Sequence, residues 1–207
     1  MIKRYKTILK IYSVKMNVQR SLFIATTTHV ESVNEAKDFF RTISHKYRDA
    51  THNCPAYRII ENNGILEFSS DAGEPSGTAG KPILGVLKKY ELLNVAIVVT
   101  RYFGGVKLGI RGLIEAYSGI VEKLINSANI EEMVLMPIYR IKVNYASYGK
   151  IMQEIHRRGF IIKNTDFDTN TGYIEIMGTG DVNGFDIVKS DVIYIRGGDF
   201  NDFKEGT

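Results

Sequence analysis

Apolar residues along this chain repeat with two periods, and the switches between them mark out its elements. The clearest strand signal is N-V-A-I-V-V-T at 94–100, a β-branched run of the kind that forms a central strand covered on both faces. Residues 7–14 and 21–28 also read as strands, the second (S-L-F-I-A-T-T-T) rich in β-formers. Between them and the central strand, Ala36, Phe39, Phe40, Ile43 and Tyr47 lie on one stripe of a helix. Ser32 and Glu35 supply a capping box at its start. Residues 56–60 and 65–70, punctuated by Asn62-Asn63-Gly64, form a hairpin pattern. Ile83, Leu84, Val86, Leu87 and Tyr90 predict a second helix, and Leu113, Ala116, Tyr117, Ile120 and Leu124 a third.

A boundary is expected at 127–137, where the third helix ends, Glu131-Glu132 changes the charge and Pro137 opens an extended run. The predicted division is 1–130 and 131–207. In the second part the pattern gives strand 138–145, helix 147–158, strands 160–166 and 172–178, a short helix within 181–190, and strand 192–196. That is a βαββαβ order, ferredoxin-like, with a second helix of one or two turns because Gly184 interrupts it. Residues 201–207 are expected to fray. The fold class is α+β.

Composition narrows the picture without fixing a function. The 207 residues are 44% hydrophobic and 24% charged, ordinary for a globular protein. No apolar run is long enough to span a membrane, and the basic amino terminus lacks the apolar block of a secretory signal. A lone Cys54 excludes an internal disulfide and favours a reducing, cytoplasmic setting. The net charge of +4 is polarised: 18 Lys+Arg face 11 Asp+Glu before Glu131, and 9 face 12 from there on. A basic first half is compatible with RNA or ribosome contact, and equally with a solvated surface.

Candidate chemistry concentrates in two glycine-rich loops. The first, around Asp71, Glu74, Ser76, Thr78 and Lys81, leads into the second helix. Its amides at the helix start, beside Lys81, form a possible phosphate cradle. It is not a Walker loop, since Pro75 and Pro82 occupy positions that need glycine and a hydroxyl residue. The structural alternative is a rigid capped turn whose carboxylates order the loop or pair with Arg101. The second loop holds Arg101, Tyr102, Phe103, Lys107 and Arg111 and follows the central strand directly. It offers a planar fork, a stacking face and a point charge, or, read structurally, a core Phe103 and a neutralising Arg101. The residues Asp71, Glu74, Ser76, Thr78, Arg101, Tyr102 and Lys107 are expected to converge on one accessible cleft, bordered by His52, Cys54 and Arg58. His45, Asp49, His52 and Cys54 resemble metal ligands at first sight, but helix and strand separate them, so no tightly bound zinc is expected. A buried Cys54 beside a hydrogen-bonded His52 is the better reading than a nucleophile and its base.

The two loops also carry a resemblance. DAGEPSGTAGKPIL at 71–84 and VVTRYFGGVKLG at 98–109, with RDATHNCPAYRI at 48–59 and SLFIA at 21–25, closely resemble the YigZ/IMPACT family. The resemblance covers about the first 130 residues. It implies a two-domain α+β protein. The first domain would be a ribosomal-protein-like superfold containing a βαβ unit; the second would resemble a small domain of elongation factor G. Eukaryotic members restrain a starvation-responsive translation kinase by competing for its ribosome-associated activator. The resemblance therefore implies a non-enzymatic binding protein of translation or its regulation, contacting ribosome, RNA or a translation-associated protein through loops 69–81 and 101–112. The competing reading is an enzyme acting on a phosphorylated small molecule or nucleotide, using Asp71, Glu74, Arg101 and Lys107 with magnesium. No catalytic residue and no cofactor is assigned, and oligomeric state is left open. Where relatives read LG-x-GGLVRAY this chain reads LGIRGLIEAY, with Arg111 and Glu115 reversing the local charge order.

Overall fold

The computed structural model describes residues 2–62, 64–168 and 171–199. It is an α+β structure with two antiparallel sheets, and the chain divides into two compact units between Glu131 and Glu132. Among the described residues no helix is long and apolar enough to cross a membrane.

In the first unit, β1 (Arg4–Thr7), β2 (Tyr12–Val18) and β3 (Ser21–His29) precede α1 (Val33–Lys46). They are followed by β4 (His52–Glu61), β5 (Gly64–Ser69), α2 (Gly80–Lys89), β6 (Val95–Tyr102) and α3 (Gly109–Ser127). The sheet order is β2-β3-β6-β4-β5, and each pairing is antiparallel. β6 is central, and both its faces are covered. Because side chains alternate along a strand, Val95, Ile97 and Val99 enter the larger core with residues of α2 and α3, including Ile83, Leu87, Tyr117, Ile120 and Leu124. Ala96 joins Ala36, Tyr57, Ile59, Phe39 and Phe40 under α1. The cap forms with its return bond one residue early: Glu35 N donates to Ser32 Oγ at 3.2 Å, and Glu31 N, rather than the N-cap amide, donates to Glu35 Oε2 at 2.9 Å.

Two boundaries differ from the pattern. The expected strand 7–14 is split, because Thr7 and its neighbour Ile8 are both buried while Ile11 is exposed, which breaks the alternation. The hairpin pairs Glu61 with Gly64; Asn63 lies outside the described residues.

The second unit comprises β7 (Glu131–Asn144), α4 (Tyr148–Arg157), β8 (Ile161–Phe167), β9 (Thr171–Met177) and β10 (Asp186–Arg196). Its strands run β10-β7-β9-β8, all antiparallel, around Ile141, Val143, Ile155, Phe160, Ile174 and Ile176. β7 starts seven residues earlier than the pattern suggests, and Pro137 lies inside it. The proline is tolerated because pairing with β9 begins only at Ile138, while the Pro137 carbonyl accepts from Gly178 N at 3.1 Å. The helix expected within 181–190 is not formed. A single turn, Phe185 N to Val182 O at 3.1 Å, takes its place, and the β-branched run that follows pairs along β7. Gly180 and Gly184 disfavour a helix there, whereas Ile187, Val188, Val192 and Ile193 favour a strand. Residues 201–207, expected to fray, lie outside the described residues.

Each unit carries its own core, so truncation in either should be felt. Ile120→Ala and Ile174→Ala should each lower the unfolding free energy by about 2–5 kcal/mol, measured by urea denaturation.

Candidate functional site

Strand alternation places Arg101 on the α2/α3 side of the sheet. In register beside it are His52 on β4 and Phe23 on β3. The Arg101 side chain is only 6% exposed and that of Glu74 only 2%. Arg101 Nη1 donates to Glu74 Oε1 at 2.7 Å, and Nη2 donates to Ser21 Oγ at 3.3 Å. The guanidinium lies between two rings, 5.4 Å from the centroid of Phe23 and 5.3 Å from that of Phe103. Glu74 Oε1 also accepts from the Tyr117 hydroxyl of α3 at 2.8 Å. His52 Nδ1 lies 2.9 Å from the Ala72 carbonyl, which can only accept, so Nδ1 carries the proton and Nε2 faces Glu74 Oε1 at 3.9 Å. Burying two ions costs several kcal/mol each, and here it is offset by a short pairing in which both charges hold further hydrogen bonds.

Cys54 completes this network from below. Its Sγ is 3.1 Å from the Asp71 carbonyl and 3.4 Å from the Tyr117 hydroxyl. Burial pushes its thiol up to about 12, against a partial lowering by the Tyr117 hydrogen bond. Tyr117 is likewise raised, first by burial and then by the nearby Cys54 and Glu74. Neither group is a poised nucleophile or acid near neutral pH.

Asp71 has a different task. Its Oδ2 accepts from Gly77 N at 2.8 Å, and its Oδ1 accepts from Ala79 N at 3.0 Å and Gly80 N at 2.8 Å. The amides read as a phosphate cradle are therefore filled by the chain's own carboxylate. Burial works to raise the Asp71 pKa, but the three amides and Lys81 outweigh it and hold the group below its ordinary value. Thr78 Oγ1 donates to Pro75 O at 2.7 Å, which tightens the same turn. Gly80 is required here, since a Cβ would come within 2.8 Å of the Ser70 carbonyl carbon. The structural alternative for this loop is thus realised, with the pairing to Arg101 made by Glu74.

Beside this floor opens a cleft of about 350 Å³, lined among others by Glu74, Arg101, Phe103, Lys107, Leu108 and Ile110. Of the residues expected to converge, Glu74, Arg101 and Lys107 line it. Tyr102, one residue on, projects to the opposite face and donates to Asp49 Oδ1 at 2.9 Å. Asp71 and Thr78 are held within their loop, and Ser76 and Lys81 are exposed outside the lining. Arg111, 92% exposed, pairs with Glu115 at 2.7 Å, the i,i+4 contact implied by the reversed charge order. His52 and Cys54, expected at the cleft border, are not in the lining: His52 meets the Ala72 carbonyl and Glu74, and Cys54 the Asp71 carbonyl and the Tyr117 hydroxyl. Arg58 does not border the cleft. It lies six residues along β4 from His52, about 20 Å away, and donates to Glu67 Oε1 at 3.0 Å and Leu92 O at 3.1 Å.

Comparison with known proteins assigns the sequence to a family. The Impact N-terminal domain matches residues 19–125. The chain belongs to the IMPACT family. It is 38% identical over 185 residues to IMPACT family member YvyE of Bacillus subtilis (strain 168), covering 89% of this chain and 85% of that one. It is 34% identical over 130 residues to IMPACT family member YigZ of Escherichia coli (strain K12), covering 62% and 63%. The crystal structure of a hypothetical protein is similar with a TM-score of 0.63 and 26% identity, covering 86% of this chain and 87% of that one. The buried network from Ser21 to Tyr117 falls wholly within the segment matched to the IMPACT domain.

Two participants in this site escape a reading by sequence pattern: Tyr117 reads as apolar stripe and Ser21 as the edge of a strand. Phe103, read either as a stacking face or as core, is 43% exposed. A tyrosine on an otherwise aliphatic helix stripe is the one advance signal, because a buried hydroxyl needs a partner.

Glu74→Gln should destabilise the protein by about 3–5 kcal/mol, since it strands a buried guanidinium; urea melts of Glu74→Gln against Glu74→Leu/Arg101→Leu should show partial recovery in the double variant. The depressed Asp71 pKa implies stability that is complete above the ordinary aspartate value of about 3.9 and lost as pH falls below it toward the folded value. Asp71→Asn should remove that part of the acid dependence in a pH-denaturation series. Cys54 in the folded protein should resist iodoacetamide at pH 8 and react once urea unfolds the chain, as mass spectrometry would report.

Proposed function

We propose that the protein is a non-enzymatic binding protein of translation or its regulation, contacting ribosome, RNA or a translation-associated protein through its first unit. One observation carries this reading. The second loop and the start of α3 present Phe103, Ile110 and Lys107 outward, Ile110 at 68% exposure, around a floor whose charges are already neutralised. Exposed apolar side chains beside a lysine on a rigid base suit docking of a macromolecule. The first loop contributes by holding that base in place, and contact falls to residues 101–112. Family membership supports the link to translation, through the resemblance to eukaryotic members that restrain a translation kinase by competing for its ribosome-associated activator.

The domain reading follows the same lines: an IMPACT-like domain over 1–130 and a ferredoxin-like domain over 131–207 resembling one of elongation factor G. The strand order β10-β7-β9-β8, with one helix between β7 and β8, supports the second assignment despite the missing helix. A cytoplasmic location completes the proposal.

Co-sedimentation of the tagged protein with ribosomes over a salt series tests it. The protein should pellet with ribosomes at low salt, and Phe103→Ala or Lys107→Ala should reduce the pelleted fraction. If RNA phosphates are the contact, Lys107→Ala should also flatten the log–log salt slope by roughly one unit. If a protein is the contact, association should survive ribonuclease with a shallow slope. Absence of association at low salt for the unaltered chain would reject the proposal.

A further inference from the structure

The cleft beside the second loop has features that docking alone does not use. α3 is 19 residues long and begins at Gly109 with Leu108 at its N-cap. Among the described residues no side chain accepts from its first-turn amides, and its first turn carries no acid. The positive end of a long helix is therefore uncovered, and Leu108, Gly109 and Ile110 belong to the cleft lining. Exposed Lys107 stands immediately before it, with no ion-pair partner among the described residues.

An independent observation comes from the floor. Arg101 lines the cleft with its side chain nine-tenths buried, yet its Nε–H has no acceptor among the described residues. An unanswered guanidinium donor in a buried place is costly and rare in native structures. Both bonds that Glu74 accepts from Arg101 and Tyr117 fall on Oε1, and neither involves Nε. Nor does Glu74 set up a repulsive field toward the cleft, since its charge is matched at 2.7 Å. The other nearby acid, Glu115, is paired with Arg111. Positive potential thus remains at the cleft, from the helix start and Lys107. The side chains of Phe103, Leu108, Ile110 and Leu113 give the same cleft an apolar lining. The volume, about 350 Å³, lies at the small end of the range for small-molecule sites.

We propose that this cleft binds a small organic oxyanion, a phosphate monoester or a carboxylate carried on a flat apolar group. The oxyanion takes the open amides of the α3 start and Lys107. The apolar group lies against Leu108, Leu113 and the Phe103 ring. The ring also lies against the Arg101 guanidinium, whose Nε–H is the donor left for a further oxygen. The proposal goes beyond macromolecular docking and does not depend on it.

The test is an NMR titration of the full-length ¹⁵N-labelled protein, without ribosomes, at fixed ionic strength. The probes are phenyl phosphate, benzoate and inorganic phosphate, and the signals followed are the amides of Gly109, Ile110 and Arg111 and the Arg101 Nε–H. Phenyl phosphate or benzoate should move these signals saturably and bind about tenfold more tightly than inorganic phosphate. Whichever of the two binds more tightly identifies the oxyanion. Lys107→Ala should weaken binding about tenfold. Ile110→Asp, a change at an exposed position that puts an acid on the helix start, should abolish it while leaving the melting temperature unchanged. The proposal is overturned if no probe saturates below about 20 mM, if the shifts fall on other residues, or if inorganic phosphate binds as well as the aromatic anions. Failed ribosome co-sedimentation with a saturable titration would strike the docking proposal alone, and the reverse outcome would strike this one alone.

Discussion

A carboxylate and a guanidinium shut away from water hold the first unit of this protein in its shape. Glu74 comes from a loop, Arg101 from the end of the central strand, Tyr117 from the long helix and His52 from the neighbouring strand. None of these groups is stable alone in that place. An isolated buried charge shifts its protonation or pulls in water, so the loop is obliged to deliver Glu74 to within 2.7 Å of its partner. The glycines, the internal Thr78 bond and the Asp71 cap serve that delivery. A hydrophobic pairing would bind the same elements with less demand on geometry; the ionic one fixes a single arrangement of loop, strand and helix.

Much of the fold was legible from side-chain periodicity. The run 94–100 reads as a strand covered on both sides because nearly every residue is apolar, and β6 is so covered. Ser32 and Glu35 announce a helix start by chemistry alone, and the helix starts there, with only the return bond displaced by one residue. The failures have local causes. Residues 7–14 look continuous because periodicity cannot register that Thr7 and Ile8 are both buried, and a βαββαβ template overrode the strand preference of residues 186–193.

The site was legible in membership more than in geometry. Glu74, Arg101 and Lys107 stood out as charged residues in glycine-rich loops, and they do share a cleft. Sequence could not say which carboxylate would take the arginine and which the helix start, because Asp71 and Glu74 are three residues apart in a loop without a period. Nor could it say that Tyr102 and Arg101 part company, until strand register fixed which residue faces α3. Tyr117 was hidden because one hydroxyl on an apolar stripe does not change the stripe.

The turn at the head of α2 shows how narrowly a structural loop differs from a receptor. Three backbone amides, of Gly77, Ala79 and Gly80, converge on one point, and what occupies that point is the side chain of Asp71. The chain thus carries its own tethered anion, placed there by the backbone rather than drawn from solution. Shorten that single side chain to alanine, and the same backbone becomes a vacant cradle of donors with Lys81 at its edge.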